Sequence, residues 1–145
     1  FISYASNIIA MSPSTHIGAA HPVVGGGSWG KLSKNVKEKI MNDTIAWAKT
    51  IADERNRPAN FIINAIKESV SITEKEALNK KICDIAANNM DDLLAKVDGK
   101  TVTTAKGKII IKTKKANIEN ITLTIREKIL NTVIDPNIAY LLFTL

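Results

Sequence analysis

Two histidines, one cysteine and a lysine-bearing helix hold the groups of this chain best suited to acid–base or nucleophilic chemistry. His16 and His21 bracket a run of small residues, Gly18-Ala19-Ala20. Neither histidine has a Glu or His at the spacing that puts metal ligands on one helix face, so no metal site is predicted, and no cofactor. Cys83 stands alone, which excludes an intramolecular disulfide and a cysteine-based zinc site. Within the apolar run ICDIAA it reads as a buried filler. A lysine acts as a base only when its amine is neutral, a state favoured by burial against an apolar surface. On an ideal helical wheel Lys37 points nearer the middle of its helix's apolar face, and Lys39 falls about 60° outside the edge of that face. Gly18, Ala19 and Ala20 avoid bulk, as a chain does where another backbone or a substrate must approach closely. Such a run suits an extended peptide held by strand addition.

The elements that must position these residues follow from periodicity and turn chemistry. Phe1–Ser6 reads as the tail of a helix. Asn7–Met11 is an apolar strand of the buried, parallel kind, ended by Pro13. Ile17–Ala20 is a second extended run. Gly25–Ser28 is a flexible loop that carries Trp29, read either as a lid contact or as an aromatic tucked into the core. Asn35 with Glu38 reads as a capping box that opens a helix running to about Asn56. Its apolar face is Val36, Ile40, Met41, Ile45, Trp47, Ala48, Ile51 and Ala52. Pro58 ends that helix and begins another, striped by Phe61, Ile62, Ala65 and Ile66. Ser69–Ile72 is extended. Thr73 with Glu76 forms a capping box for a helix over Glu74–Asn79. Ile82–Ala87 is a buried strand, and Asp91–Val97 a helix ended by Asp98-Gly99. Thr101–Thr104 and Lys108–Lys112 form a hairpin. Thr124–Ile134 is an amphipathic helix broken by Asp135-Pro136. The apolar stretch after it is too short to cross a bilayer, which takes about 20 residues, and reads either as half of a span or as a buried helix.

The chain has 145 residues, 45% of them apolar, enough for one domain with a real core. The net charge is +6. Aromatics make up only 5% and do not alternate with the basic residues, so the stacking platform of a single-strand binder is missing and nucleic acid is not the expected partner. The lysines around Lys106–Lys115 suit either a solvated face or anionic headgroups. Nothing at the N-terminus has the form of a signal peptide. The chain is read as a fragment cut at both ends.

Five strings carry a further signal: IAMSPSTHIGAAHPV, KIMNDTIAWAKTIADERNRPA (Lys39–Ala59), ESVSITEKEAL (Glu68–Leu78), DDLLAKVDGKTV (Asp91–Val102) and DPNIAYLL (Asp135–Leu142). In this order and with these gaps the chain resembles the NfeD-like (nodulation efficiency protein D) membrane-bound serine proteases over most of its length. The resemblance implies an α/β fold of the Clp-protease, crotonase-like class. Its C-terminal part would cover 1–98, a β-hairpin linker 99–124, and an amphipathic helix with the start of a transmembrane segment 125–145.

The resemblance also implies a Ser-Lys dyad. The family's serine lies in Ser-Ala-Gly-x-(Phe/Tyr)-Ile, and Phe1-Ile2 match its last two positions. The nucleophile is thus expected four residues before Phe1, outside this chain, which alone should be inactive. Ser3 and Ser6 do not match the motif. Lys39 matches the family's K-x-x-N-D lysine and is the implied general base, helped by the positive end of its helix dipole. In the related Ser-His-Asp enzymes the histidine precedes proline by two, a position held here by Ala20, so His21 is the lesser candidate. The implied activity is endopeptidase cleavage of hydrophobic segments in membrane-associated proteins of the stomatin class. A homo-oligomer with a membrane location and an extracytoplasmic protease domain is likewise implied. The rival readings are an inactive membrane scaffold on the same fold and a lysine-rich soluble binding module.

Overall fold

The computed structural model describes residues 1–23 and 29–135, together with Ile138, Tyr140 and Thr144. These fall into two units, Phe1–Lys115 and Ala116–Leu145. In the first unit a short helix, α1 (Ile2–Ala5), leads into strand β1 (Ala10–Met11). β1 pairs in parallel with β4 (Ile85–Ala86), Ala10 opposite Ile85 and Met11 opposite Ala86. The buried parallel strand is present but shorter than Asn7–Met11, because the backbone before it is used elsewhere. The carbonyls of Ser6 and Asn7 accept from the Arg57 guanidinium, and the Ser6 hydroxyl donates to the Ile8 carbonyl.

Strand β2 (His16–Gly18) runs antiparallel to β3 (Ser71–Thr73), with Ile17 opposite Ile72. Helix α2 (Lys34–Glu54) carries the face that closes the core. Its N-cap is Ser33, not Asn35: the Ser33 hydroxyl accepts from the Val36 amide at 3.4 Å. Ser33 offers the same chemistry two residues earlier, so the helix starts sooner, and Glu38 faces Lys34 at 3.8 Å across one turn instead of closing a box. Ile45, Ala48 and Ala52 are buried, whereas Trp47 is 58% exposed and stacks on Phe1 with ring centroids 4.8 Å apart. Helix α3 (Ala59–Lys67) buries Ile62, Ala65 and Ile66, the predicted stripe without its rim. The Thr73–Glu76 capping box is formed in both directions and opens α4 (Glu74–Asn79).

One cluster joins these elements: Tyr4, Ile9, Met11, Ile45, Ala48, Ala52, Ile62, Ile66, Ile72, Ala77, Ile82 and Cys83. Cys83 donates to the carbonyls of Ile9 and Ile85 from within it, and burial pushes its thiol up from its usual range. Helix α5 (Met90–Val97) is capped by Asn89. The hairpin β5 (Thr101–Thr104) and β6 (Gly107–Ile110) turns through Ala105-Lys106, with Thr104 opposite Gly107. In the second unit, Thr124 caps α6 (Ile125–Ile134). Its apolar residues Ile125, Ile129, Leu130 and Val133 are exposed. Among the described residues no helix is long and apolar enough to cross a membrane. The expected start of a transmembrane segment, 137–145, lies largely outside the described residues.

Candidate functional site

The turn Trp29–Lys31 brings three sequence candidates together. The His21 ring nitrogen Nδ1 lies 2.9 Å from the carbonyl of Ile66, near the end of α3. A carbonyl only accepts, so Nδ1 is the donor in this contact. The indole of Trp29 meets the His21 ring edge-on, with centroids 5.2 Å apart. Lys37 Nζ donates to the Gly30 carbonyl at 3.4 Å, which ties the first turn of α2 to that same turn. Trp29 is therefore packed on a histidine. The glycines and serine before it, 25–28, lie outside the described residues. Lys39 sits in the second turn of α2 with its side chain exposed. Lys37 is the more enclosed of the two, as the helical wheel predicted.

The small-residue run is explained in part by another backbone. A Cβ on Gly18 would stand 2.1 Å from the Val70 carbonyl oxygen and 2.5 Å from Ser71 Cα. Val70-Ser71 thus occupies the space that the missing side chain leaves. The amides of Ala19 and Ala20 donate to the carbonyls of Val70 and Ala65. Ala19 has φ +48°, a left-handed conformation rare outside glycine. The far edge of β2 has no partner strand among the described residues.

A polar cluster that sequence reasoning missed lies at the other end of α2, about 22 Å from Lys39 at 1.5 Å per residue. Arg57, 8% exposed, donates to the carbonyls of Ile82 and Ser6 and to Asp84 Oδ2 at 2.9 Å. Asp84 Oδ2 also accepts from the Ile9 amide at 2.7 Å. Arg55 Nε donates to the Ala5 carbonyl at 2.7 Å. Together the two arginines clasp the 5–7 connection between α1 and β1. A charge inside the apolar run ICDIAA was the available signal, since a carboxylate in a buried strand requires a partner. The clefts beside this cluster, one of about 370 Å³ lined among others by Asn7, Glu54, Arg55, Asp84 and Lys100, are of mixed charge. Among the described residues no three His, Cys, Asp or Glu side chains converge on a possible metal position.

A membrane-bound protease of Pyrococcus horikoshii is 32% identical to this chain over 147 residues, covering 100% of the chain and 33% of the relative. Along its whole length the chain is similar to that membrane-bound protease. No family model matches it. A membrane-bound stomatin-specific protease, solved as a lysine-to-alanine mutant in complex with a substrate peptide, superposes with a TM-score of 0.75 at 25% identity. That match covers 91% of this chain and 61% of the solved one. The serine-to-alanine mutant of such a protease gives a TM-score of 0.67 at 30% identity, over 86% and 59% of the two chains. The mixed α/β architecture of the first unit is thus that of a known protease domain. The chain spans about a third of the length of its curated relative.

Proposed function

We propose that this chain is part of a membrane-bound serine endopeptidase that cleaves hydrophobic segments of membrane-associated, stomatin-like proteins. The observation that carries the reading is the match of the whole chain to a membrane-bound protease, and of 91% of it to a protease solved on a substrate peptide. The two solved mutants replace a serine and a lysine. Their separation is nearly that between the position four residues before Phe1 and Lys39. We assign the nucleophile to a serine at that upstream position and the base to Lys39. The serine oxygen bonds to the scissile carbonyl carbon while its proton passes to Lys39 Nζ. The C–N bond then breaks, and the same proton leaves on the amine. Water hydrolyses the acyl-enzyme by the reverse route.

Lys39 is exposed, and a lysine serves as a base only where its surroundings favour the neutral amine, so this chemistry requires the rest of the protein or a second copy to cover it. The substrate peptide is held in extended form along the open edge of β2, beside the strained Ala19. The test is peptide cleavage by the full-length protein and its Lys39→Ala variant. Loss of cleavage with an unchanged thermal midpoint supports the dyad. Retained cleavage by the variant removes Lys39 from the chemistry, and absence of cleavage by the parent protein favours the inactive scaffold.

A further inference from the structure

We propose that the hairpin β5–β6 and the segment after it, 111–115, form a docking surface for anionic lipid headgroups. Residues 99–115 carry six lysines and no carboxylate. Lys106, Lys108, Lys112 and Lys115 are all exposed and have no acidic partner among the described residues. Lys114 alone approaches an acid, Asp98, at 3.9 Å.

The hairpin is a fixed platform. The Asp98 carboxylate accepts from the Thr113 amide at 2.7 Å and from the Lys114 amide at 3.2 Å. The Thr113 hydroxyl donates to the Leu94 carbonyl at 2.7 Å, which ties the segment after β6 to α5. The register then sorts the side chains. Val102 and Ile109 share one face; Thr101, Thr103, Lys108 and Ile110 share the other. Val102 is partly covered, whereas Ile110 is 59% exposed beside Lys108.

A cluster of like charges held this close repels itself, and an anionic surface offsets the repulsion. Three features favour lipid over nucleic acid. The segment has no aromatic residue on which a base could stack. Its charges are lysine ammoniums, not the forked guanidiniums suited to base edges. Its exposed isoleucines can enter the interface that the lysines approach. The relative is membrane-bound, in keeping with such a surface. This inference is independent of the Ser-Lys chemistry.

The test is sedimentation of the full chain with phosphatidylcholine vesicles and with vesicles containing a third phosphatidylglycerol, in low and in molar salt. The variant K106Q/K108Q/K112Q/K115Q is compared with K49Q/K67Q/K75Q/K80Q, which removes equal charge from α2, α3, α4 and the C-cap of α4. The parent chain should prefer the anionic vesicles, and molar salt should erase the preference. The hairpin variant should bind them at least about tenfold more weakly, since each lysine at such a surface contributes measurably. The second variant should lose much less. Any contribution from residues 116–145 is common to all three proteins. Equal binding to both vesicle types, an equal loss in both variants, or a loss confined to duplex DNA with vesicle binding unchanged overturns the proposal. Ile110→Thr, which leaves the charge intact, should weaken the binding that survives intermediate salt; no change there removes the apolar part of the surface.

Discussion

Arg57 donates to the carbonyls of Ser6 and Ile82 and to the Asp84 carboxylate, so truncating it strands three acceptors on two segments at once. Arg57→Leu should destabilise the first unit by about 2 kcal/mol, the cost of leaving the Ser6 and Ile82 carbonyls without their donor, since Asp84 is 37% exposed and keeps access to water. Arg57→Lys should recover only part of this, because an ammonium cannot reproduce the fork. Urea unfolding of the two variants measures both. Tyr4 is the other residue whose environment has a pH signature. Its hydroxyl donates to the Pro58 carbonyl at 3.0 Å, and burial pushes its phenol up to about 12 from an ordinary 10.0. The folded state therefore keeps a proton that the unfolded state has released. Stability is intact below pH 10 and falls as the pH rises toward 12. Thermal melts across that range should show the decline, and Tyr4→Phe should flatten it. Neither residue was singled out by periodicity, since a tyrosine in a four-residue helix and an arginine before a proline make no repeating pattern.

Among the elements, the β2–β3 pairing depends on one glycine. An alanine at Gly18 would place a methyl 2.1 Å from a backbone carbonyl at φ +148°, and neither the Val70 backbone nor the dihedral can yield cheaply. Gly18→Ala should cost at least about 2 kcal/mol and speed hydrogen exchange at Ile17 and Ile72. Gly107→Ala is the control: its Cβ would meet nothing within 4 Å, so only the strain of φ +97° is left, about 1 kcal/mol. Local element signals were otherwise well written. Thr73 and Glu76 marked the start of α4, and the structure forms that box. Asn35 misled because Ser33 is an equally good cap, and which one is used depends on how α2 packs. The breadth of the α2 face misled too, since Trp47 fits the periodicity and yet lies outside the core.

At the scale of the whole molecule, Lys39 is the position where this chain and the full protein should differ most. The dyad reading predicts that Lys39→Ala lowers cleavage by the full-length protein by about a thousandfold or more, the usual worth of a positioned general base combined with its nucleophile. A rate insensitive to the substitution would assign the base elsewhere. The sequence by itself determined the existence of the helices, the α4 cap, apolar strands near β1 and β4 and the resemblance to membrane-bound proteases. Each of these is written in residues a few positions apart or in strings that keep their order. Only the tertiary structure decided that Val70 fills the space above Gly18, that Asp84 answers Arg57, and that Lys39 lies exposed while Lys37 reaches Gly30. Most of those contacts join segments far apart in the chain, and all depend on how helices and strands settle against one another, which no local pattern of residue types specifies.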